Sequence, residues 1–271
     1  MAIGGVLLDI DGVLVTSWRP IGGAAEALRV LADHQIARSY LTNTTTKTRK
    51  EIADLLVDAG MAVTADEVIT AAVLTAEYVR DRYPGARCFL VNSGRIGEDM
   101  PGVDLVYSGE YGPGHVPETP DVVLLGGAGR EYDHLTLSWV YDWMARGVPV
   151  VAMHRSTSWN TAEGLRIDTG MYLIGMEETS GRKATAVGKP APEGFLAAAG
   201  RLGVDPDEMY IVGDDLNNDV LAGQVVGMTG VLVRTGKFRQ DTLDRWAADE
   251  FAMQPNHVID SVADLPGLLG L

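Results

Sequence analysis

Short apolar runs alternate with longer amphipathic stretches along the chain, and this alternation limits the fold more than any other feature of the sequence. Strand-sized apolar runs occupy residues 6–8, 37–41, 89–91, 122–125, 148–153, 209–212 and 230–233. The stretches between them carry apolar residues at helical spacing, as at residues 24–33, 48–59, 135–146 and 193–202. Strands that alternate with helices are typical of βαβ units, so the sequence predicts an α/β fold with a parallel sheet.

The chain is long enough for more than one domain, because its 271 residues exceed the roughly 100 to 200 residues of a usual domain. The middle third has its own α/β pattern, with fewer acidic strand ends than the outer thirds. We therefore predict one domain from residues 1–79 and 182–271, and a smaller inserted domain at residues 80–181. The segment 101–120 is rich in Gly and Pro, which predicts a surface loop rather than a domain boundary.

Composition restricts the partners. The chain has 37 Asp and Glu residues against 22 Lys and Arg, a formal charge of -15, which disfavours nucleic acid and anionic membrane surfaces. Binding of an anionic small molecule would require local positive charge from a metal ion, a helix N-terminus or a few Lys or Arg side chains. No apolar run approaches the roughly 20 residues that cross a bilayer, and the apolar N-terminus lacks a basic leader. With Cys88 as the single cysteine, the sequence predicts a cytoplasmic protein without an internal disulfide.

Polar residues follow three of the predicted strands and precede one predicted helix. They are Asp9-Ile10-Asp11-Gly12, Thr42-Asn43-Thr44, Lys189 before Pro190, and Gly213-Asp214-Asp215 with Asp219. Each group alone has an ordinary structural explanation: a turn, a helix cap, a solvated lysine, or a loop with a first-turn helix charge. Ligands bind at the carboxyl ends of strands in an open parallel sheet, so the four groups together favour one active site.

The residue types in this set suit phosphoryl transfer. Carboxylates gathered at one sheet edge repel each other, and oxygen ligands favour a hard cation such as Mg²⁺. A carboxylate such as Asp9 can act as a nucleophile without a base, and Asp11 can protonate the leaving oxygen and then activate water. Thr42 and Lys189 can stabilise the charge on the phosphoryl oxygens. Gly12 allows the backbone N–H groups after Asp9 to approach a phosphate closely.

The order of these motifs resembles the haloacid dehalogenase superfamily of phosphotransferases. Its four motifs look like Asp9-Ile10-Asp11-Gly12-Val13, Thr42-Asn43, Lys189-Pro190, and Gly213-Asp214 with Asp219. The resemblance implies a Rossmann-like core in which Asp9 is the nucleophile and Asp11 the acid and base. Phosphate would contact Gly12, Thr42, Asn43, Thr44 and Lys189. The implied Mg²⁺ ligands are Asp9, the Asp11 carbonyl and Asp214, with Asp219 as a further candidate.

The inserted domain looks like the C2-type cap of the NagD-like branch, subfamily IIA. Residues 187–193 and 234–238 are similar to the phospholysine phosphohistidine inorganic pyrophosphate phosphatase branch, and frequent dimers in this family imply a homodimer. Two departures matter. Thr44 stands where many NagD-like proteins have a second asparagine, and Asp215 adds a carboxylate beside Asp214. Asp215 suits either support of a metal ligand or the start of a solvated loop.

Candidates for substrate choice lie in the inserted domain, in a predicted substrate-facing loop at residues 154–160. His154 or Arg155 can meet a second anionic group, and Trp159 can pack on a ring or sugar. The same residues also suit ordinary packing and surface charge. Residues 168–171 are predicted, by likeness alone, to form a loop at a helix start close to the substrate.

The predicted function is hydrolysis of a small phosphorylated metabolite through an aspartyl-phosphate, with Mg²⁺ as cofactor. A phosphomutase uses the same aspartyl-phosphate but returns the phosphoryl group to another hydroxyl, so this alternative stays open. Dehalogenase chemistry needs one Asp and no metal, and the presence of both Asp11 and Asp214 disfavours it. A non-enzymatic binding protein on the same scaffold is the alternative from another class, and the intact motifs count against it.

Overall fold

The structure, a computed structural model, describes residues 3–161, 164–249 and 251–271. The chain divides into two compact units. The first unit comprises Met1–Thr42, Arg49–Ile69 and Lys189–Leu271, and the second comprises Asn43–Thr48 and Thr70–Gly188. The boundary predicted at residue 80 falls inside a helix, Ala71–Arg82. The assignment of the two sequence regions to a core and a cap stays a prediction.

The strands alternate with helices, which confirms the α/β fold class. In chain order the strands are β1 Gly5–Leu8, β2 Val15–Thr16, β3 Arg19–Pro20, β4 Ala37–Thr42, β5 Val68–Thr70, β6 Arg87–Val91, β7 Asp104–Tyr107, β8 Val122–Leu125, β9 Val150–Ala152, β10 Ser158–Thr161, β11 Gly164–Ile167, β12 Thr185–Ala186, β13 Met209–Gly213, β14 Thr229–Val233 and β15 His257–Ile259.

Helices of 4 to 12 residues lie between and after these strands. They are α1 Ala24–Asp33, α2 Arg49–Asp58, α3 Ala71–Arg82, α4 His134–Ala145, α5 Thr169–Ser180, α6 Glu193–Leu202, α7 Ala222–Val225, α8 Gln240–Ala247 and α9 Leu265–Leu269. A π-helical turn, Leu216–Leu221, leads into α7. The four helices predicted from the sequence are confirmed to within a residue at each end. No helix of the described residues is both long and apolar enough to cross a lipid bilayer.

The first unit contains a six-stranded sheet in the order β15-β14-β13-β1-β4-β5. The central strand β1 pairs in parallel with β13 and β4, so that Leu8 lies opposite both Val212 and Tyr40. All four residues of β1 are buried, as expected for a strand covered on both faces. Helix α1 packs against the same core through a buried apolar face that includes Leu28 and Leu31.

The second unit has its own five-stranded sheet, in the order β12-β9-β8-β6-β7. Strand β7 lies inside the segment predicted to be a surface loop, so that prediction is wrong for residues 104–107. The reason is that β7 is an edge strand: among the described residues it pairs only with β6, it is only partly buried, and Gly and Pro residues flank it.

A second correction concerns the predicted loop at residues 154–160. Its last residues belong to β10, which pairs with β11 in an antiparallel hairpin. The hairpin exposes Trp159, Leu165 and Ile167, and aromatic and β-branched residues such as Trp159 and Ile167 favour strands.

Candidate active site

The carboxyl ends of three neighbouring strands of the first unit carry polar side chains. Asp9 follows β1, Thr42 ends β4 and Asp214 follows β13, and all three residues are buried. Because β1 lies between the other two strands in parallel register, these residues share one edge of the sheet. The sequence-based interpretation of strand-end residues as one group therefore holds for this part of the site.

Lys189 is a buried cation within this group. Its Nζ lies 2.7 Å from Asp9 Oδ1 and 2.6 Å from Asp219 Oδ1, and the residue is only 5% exposed. Burial by itself lowers the pKa of a lysine, but the carboxylates of Asp219 and Asp9 outweigh that effect and raise the pKa of Lys189. The alternative of a solvated surface lysine is therefore excluded.

Asp9, Asp214 and Asp219 bring one carboxylate oxygen each to within 4.8 Å of one another. Asp214 Oδ2 accepts a hydrogen bond of 2.6 Å from the backbone N–H of Lys237, whereas the buried Oδ1 has no donor among the described residues. Burial, with the added charges of Asp9 and Asp219, raises the pKa of Asp214. An orphaned buried oxygen among crowded carboxylates fits a small, hard divalent cation such as Mg²⁺.

Two glycines leave room for the Asp214 carboxylate. Gly12 and Gly236 have φ angles of 93° and 59°, which favour glycine, and a Cβ atom at either position would collide with that carboxylate. The Thr235 hydroxyl donates a hydrogen bond to the Gly12 carbonyl and ties the two segments together. The sequence predicts that Gly12 lets the backbone approach a phosphate closely. That role stays a prediction, and its packing against Asp214 is a second reason for glycine.

Asp11 stands apart from the carboxylate cluster. The residue is exposed, and its Oδ1 accepts a long hydrogen bond of 3.4 Å from the backbone N–H of Ser17. Desolvation of the carboxyl group by the surrounding protein and the nearby charge of Asp9 raise its pKa. A carboxyl group that holds its proton more tightly suits proton donation, and the acid and base role of Asp11 stays a prediction.

Asp215 stabilises the start of the π-helical turn that carries Asp219. Its Oδ1 accepts hydrogen bonds from the backbone N–H groups of Asn217 and Asn218, and its Oδ2 accepts one from Asn218 Nδ2. The Asp215 N–H in turn donates to Asp219 Oδ2 at 3.1 Å. Asp215 is thus neither the start of a solvated loop nor a member of the carboxylate cluster, but the cap that orients a member of it.

Lys237 is the residue of this site whose role the sequence did not reveal. Its backbone N–H bonds Asp214, and although burial lowers the pKa of its side chain, the charges of Asp9, Asp214 and Asp219 outweigh this and raise it. The sequence feature that pointed to this region is the stretch at residues 234–238, which is similar to the corresponding stretch in the family. A main-chain donor, however, leaves no trace in residue type.

The remaining predicted site residues belong to the second unit. Asn43 and Thr44 are half-buried in the segment Asn43–Thr48, and Trp159 is 45% exposed on β10. His154 is buried, and its Nδ1 lies 3.3 Å from the backbone N–H of Ser156. Its Nε2 lies 3.9 Å from Asp168 Oδ2.

Arg155 forms a bidentate ion pair with the buried Glu177, with N···O distances of 2.8 and 2.7 Å. This pair engages the guanidinium that was predicted to meet a substrate anion. The segment at residues 168–171 does begin a helix, since Asp168 Oδ1 accepts from Thr169 N at the start of α5 and from Ala128 N.

Comparison with known proteins agrees with this arrangement. Residues 6–105 match the family model of the haloacid dehalogenase-like hydrolases, and residues 186–265 match a second model described as HAD-hydrolase-like. The ribonucleotide monophosphatase NagD of Escherichia coli (strain K12) is 30% identical, over 98% of this chain and 99% of its own. The phospholysine phosphohistidine inorganic pyrophosphate phosphatase of Mus musculus is 29% identical, over 98% and 93%.

Among solved structures, a p-nitrophenyl phosphatase from Archaeoglobus fulgidus aligns with a TM-score of 0.85 at 25% identity, over 99% of this chain and 100% of its own. The Escherichia coli K-12 NagD structure aligns with a TM-score of 0.82 at 29% identity, over 97% and 98%. Together with the two family models, these relatives establish that the chain belongs to the haloacid dehalogenase-like hydrolases and is a phosphatase of the NagD-like branch.

Proposed function

We propose that this enzyme hydrolyses a phosphomonoester of a small metabolite, depends on Mg²⁺, and passes the phosphoryl group through Asp9. The observation that carries the proposal is the buried cluster of Asp9, Asp214 and Asp219 with Lys189 in contact with two of them. A buried set of carboxylates in which the Asp214 Oδ1 atom has no donor among the described residues is costly unless it binds a further cation. Such a set suits chemistry on an anion.

The proposed reaction has two steps. In the first, an Asp9 carboxylate oxygen attacks phosphorus, the bond to the leaving oxygen breaks, and Asp11 gives that oxygen a proton. In the second, Asp11 takes a proton from water, the water oxygen attacks phosphorus, and the bond to Asp9 breaks to release inorganic phosphate. Lys189 offsets the charge of Asp9 throughout. A bound Mg²⁺, held by Asp9, Asp214 and Asp219, would reduce the repulsion between nucleophile and phosphate.

The other residues of the site receive their proposed roles from the sequence motifs. We assign phosphate binding to Gly12, Thr42, Asn43 and Thr44, and the choice of leaving group to the second unit. There, the exposed face of Trp159 suits a ring or sugar. The names of the relatives support a small phosphorylated substrate. The homodimer and the cytoplasmic location stay predictions, and sedimentation analysis would test the first.

Phosphate release from a panel of phosphorylated metabolites tests the proposal, with Mg²⁺ and with excess chelator. We expect release that requires the metal and that falls by about a thousandfold or more in Asp9→Asn. Asp33→Asn is the matched control, because Asp33 is an exposed carboxylate paired with Arg29, and it should keep full activity. Release that persists in chelator or in Asp9→Asn would contradict the mechanism.

The same assay separates the proposal from its rivals. A phosphomutase converts a sugar monophosphate into its isomer, so phosphorus NMR would show a shifted monophosphate signal in place of inorganic phosphate. A binding protein would turn over none of the panel, not even a generic aryl phosphate.

A further inference from the structure

The predicted phosphate-binding motif Thr42-Asn43-Thr44 is divided between the two compact units. Thr42 is the last residue of β4 and belongs to the first unit, whereas Asn43–Thr48 belongs to the second by its contacts. The position of Asn43 and Thr44 therefore depends on what the second unit provides to hold this six-residue segment. Two features of that unit do so, a buried amide and a group of glycines.

The buried amide is that of Asn92, which follows β6 and is 6% exposed. Its Nδ2 donates to the Thr45 carbonyl at 2.8 Å and to the Gly94 carbonyl at 3.0 Å, and its Oδ1 accepts from Gly127 N at 2.9 Å. Gly127 N also lies 2.7 Å from Thr45 Oγ1. Asn92 thus links the segment to the loops that follow β6 and β8, with both its donors and its acceptor used.

Glycines surround the segment where larger residues would displace it. A Cβ atom at Gly94 would collide with the Thr46 backbone, and one at Gly188 would lie 2.6 Å from Asn43 Oδ1. A Cβ atom at Gly127 would lie 2.7 Å from Thr45 Oγ1. Because real Cβ atoms do not approach so closely, the segment can lie this close to the three loops only where they carry glycine.

We propose that Asn92 is a positioning residue for substrate binding: it fixes Thr45 and thereby sets the place of Asn43 and Thr44. The proposal rests on the proposed function, in which Asn43 and Thr44 hold the phosphate group. The hydrogen bonds described for Asn92 go to Thr45, Gly94 and Gly127, all of the second unit. Loss of Asn92 should therefore weaken substrate binding more than it slows the chemical step at Asp9.

Asn92→Asp tests this because it keeps the size and the acceptor but replaces the donor by an oxygen that repels the two carbonyls. We expect KM for p-nitrophenyl phosphate to rise about tenfold while kcat changes by less than about threefold, as follows from losing a buried hydrogen bond that acts on binding. The inhibition constant of inorganic phosphate should rise in parallel. Thr136→Val is the control: it removes a buried hydroxyl of the same unit that bonds Asp133 and should lower Tm without changing KM.

Two conservative substitutions at Thr45 keep the test decisive if Asn92→Asp fails to fold. Thr45→Val removes one acceptor of Gly127 N and should raise KM by about threefold, whereas Thr45→Ser keeps the hydroxyl and should restore the wild-type KM. Hydrogen exchange gives a readout that does not depend on turnover. The amides of residues 43–48 should exchange faster in Asn92→Asp and stay unchanged in Thr136→Val.

The outcomes separate this inference from the proposed function. Absence of turnover in the wild type would refute the proposed function, and exchange at residues 43–48 would still decide whether Asn92 holds the segment. Turnover in the wild type with an unchanged KM in Asn92→Asp and Thr45→Val would overturn the positioning role, as would unchanged exchange of the segment.

Discussion

Each unit carries a parallel sheet, and the polar residues at the carboxyl edges of the two sheets are of different kinds. The first unit buries charge there, with Asp9, Asp214 and Asp219 around Lys189. In the second unit, a neutral side chain holds the segment Asn43–Thr48: the amide of Asn92 bonds backbone groups, and the Thr45 hydroxyl shares one of its partners. The same sheet geometry therefore supports two different kinds of polar site.

The difference follows from the cost of burying each kind of group. A neutral amide is satisfied once its hydrogen bonds are made, so the Asn92 side chain needs no ligand to balance it. Crowded carboxylates remain unfavourable until a cation balances them, so the edge of the first unit is stable only as part of a larger charge arrangement. The carboxylate cluster of the first unit therefore needs a balancing cation, whereas the hydrogen bonds of Asn92 hold backbone in place.

Replacing the buried cation should have the largest effect on stability. Lys189→Met leaves Asp9 and Asp219 buried without their partner, so we expect a loss of about 3 to 5 kcal/mol in the free energy of unfolding, measured by urea denaturation. Lys50→Met is the control, because Lys50 pairs with Asp54 on the exposed face of α2, and such a pair contributes under about 1 kcal/mol. Equal losses would show that the buried charges of the first unit carry no special cost.

Stabilisation by Mg²⁺ tests whether the carboxylate cluster of the first unit binds a cation. We expect Mg²⁺ at a hundred times its Kd to stabilise the wild type by about 2.7 kcal/mol, measured as the change in unfolding free energy. Asp214→Asn should lose most of this gain, yet be no less stable without metal, because one buried charge is gone and the amide oxygen still accepts from Lys237 N. Asp54→Asn should respond to Mg²⁺ like the wild type. A full response in Asp214→Asn would remove Asp214 from the metal site.

The ion pair of Arg155 with the buried Glu177 predicts a pH dependence. The hydrogen bonds from Arg155, opposed in part by burial, lower the pKa of Glu177 to about 2. Stability from this pair is present above the unfolded pKa of about 4.3 and is lost as the pH falls toward 2. Glu177→Gln should cost about 2 kcal/mol at pH 7, and the difference from the wild type should shrink below pH 4.5.

Unfolding titrations of both proteins across this range measure the effect. Glu26→Gln, which removes an exposed partner of Arg29 on α1, should change stability much less. A difference between wild type and Glu177→Gln that stays constant down to pH 2 would contradict the depressed pKa.

The smallest expected effect on stability is at the hairpin. Trp159 is exposed, so Trp159→Ala should change the unfolding free energy by under about 0.5 kcal/mol. The substitution should instead lower kcat/KM for substrates with a ring or sugar by about threefold to tenfold. The value of kcat/KM for a small alkyl phosphate should stay unchanged. Comparison of kcat/KM for the two substrate classes is the measurement. An equal decrease for both would assign Trp159 a structural role.

Local sequence patterns were sufficient to predict the main helices of the first unit and the residues at the ends of its central strands. The apolar spacing of residues 24–33 and 193–202 predicted α1 and α6 with the ends that the structure has. The positions of Asp9, Thr42 and Asp214 directly after apolar runs predicted their shared sheet edge. Both kinds of inference work because helix periodicity and strand ends are properties of neighbouring residues, and the parallel arrangement then follows from chain connectivity.

What the sequence by itself determined is therefore the α/β class, the main elements and the strand-end positions of Asp9, Thr42 and Asp214. Only the tertiary structure decided which polar groups bond to one another: Arg155 with Glu177, Asn92 with Thr45, and the Lys237 amide with Asp214. These pairs join distant parts of the chain, and their strength comes from burial, which the residue types alone do not encode. The edge strand β7 was missed because its strand-favouring residues stand among Gly and Pro residues, and only the pairing with β6 identifies it as a strand.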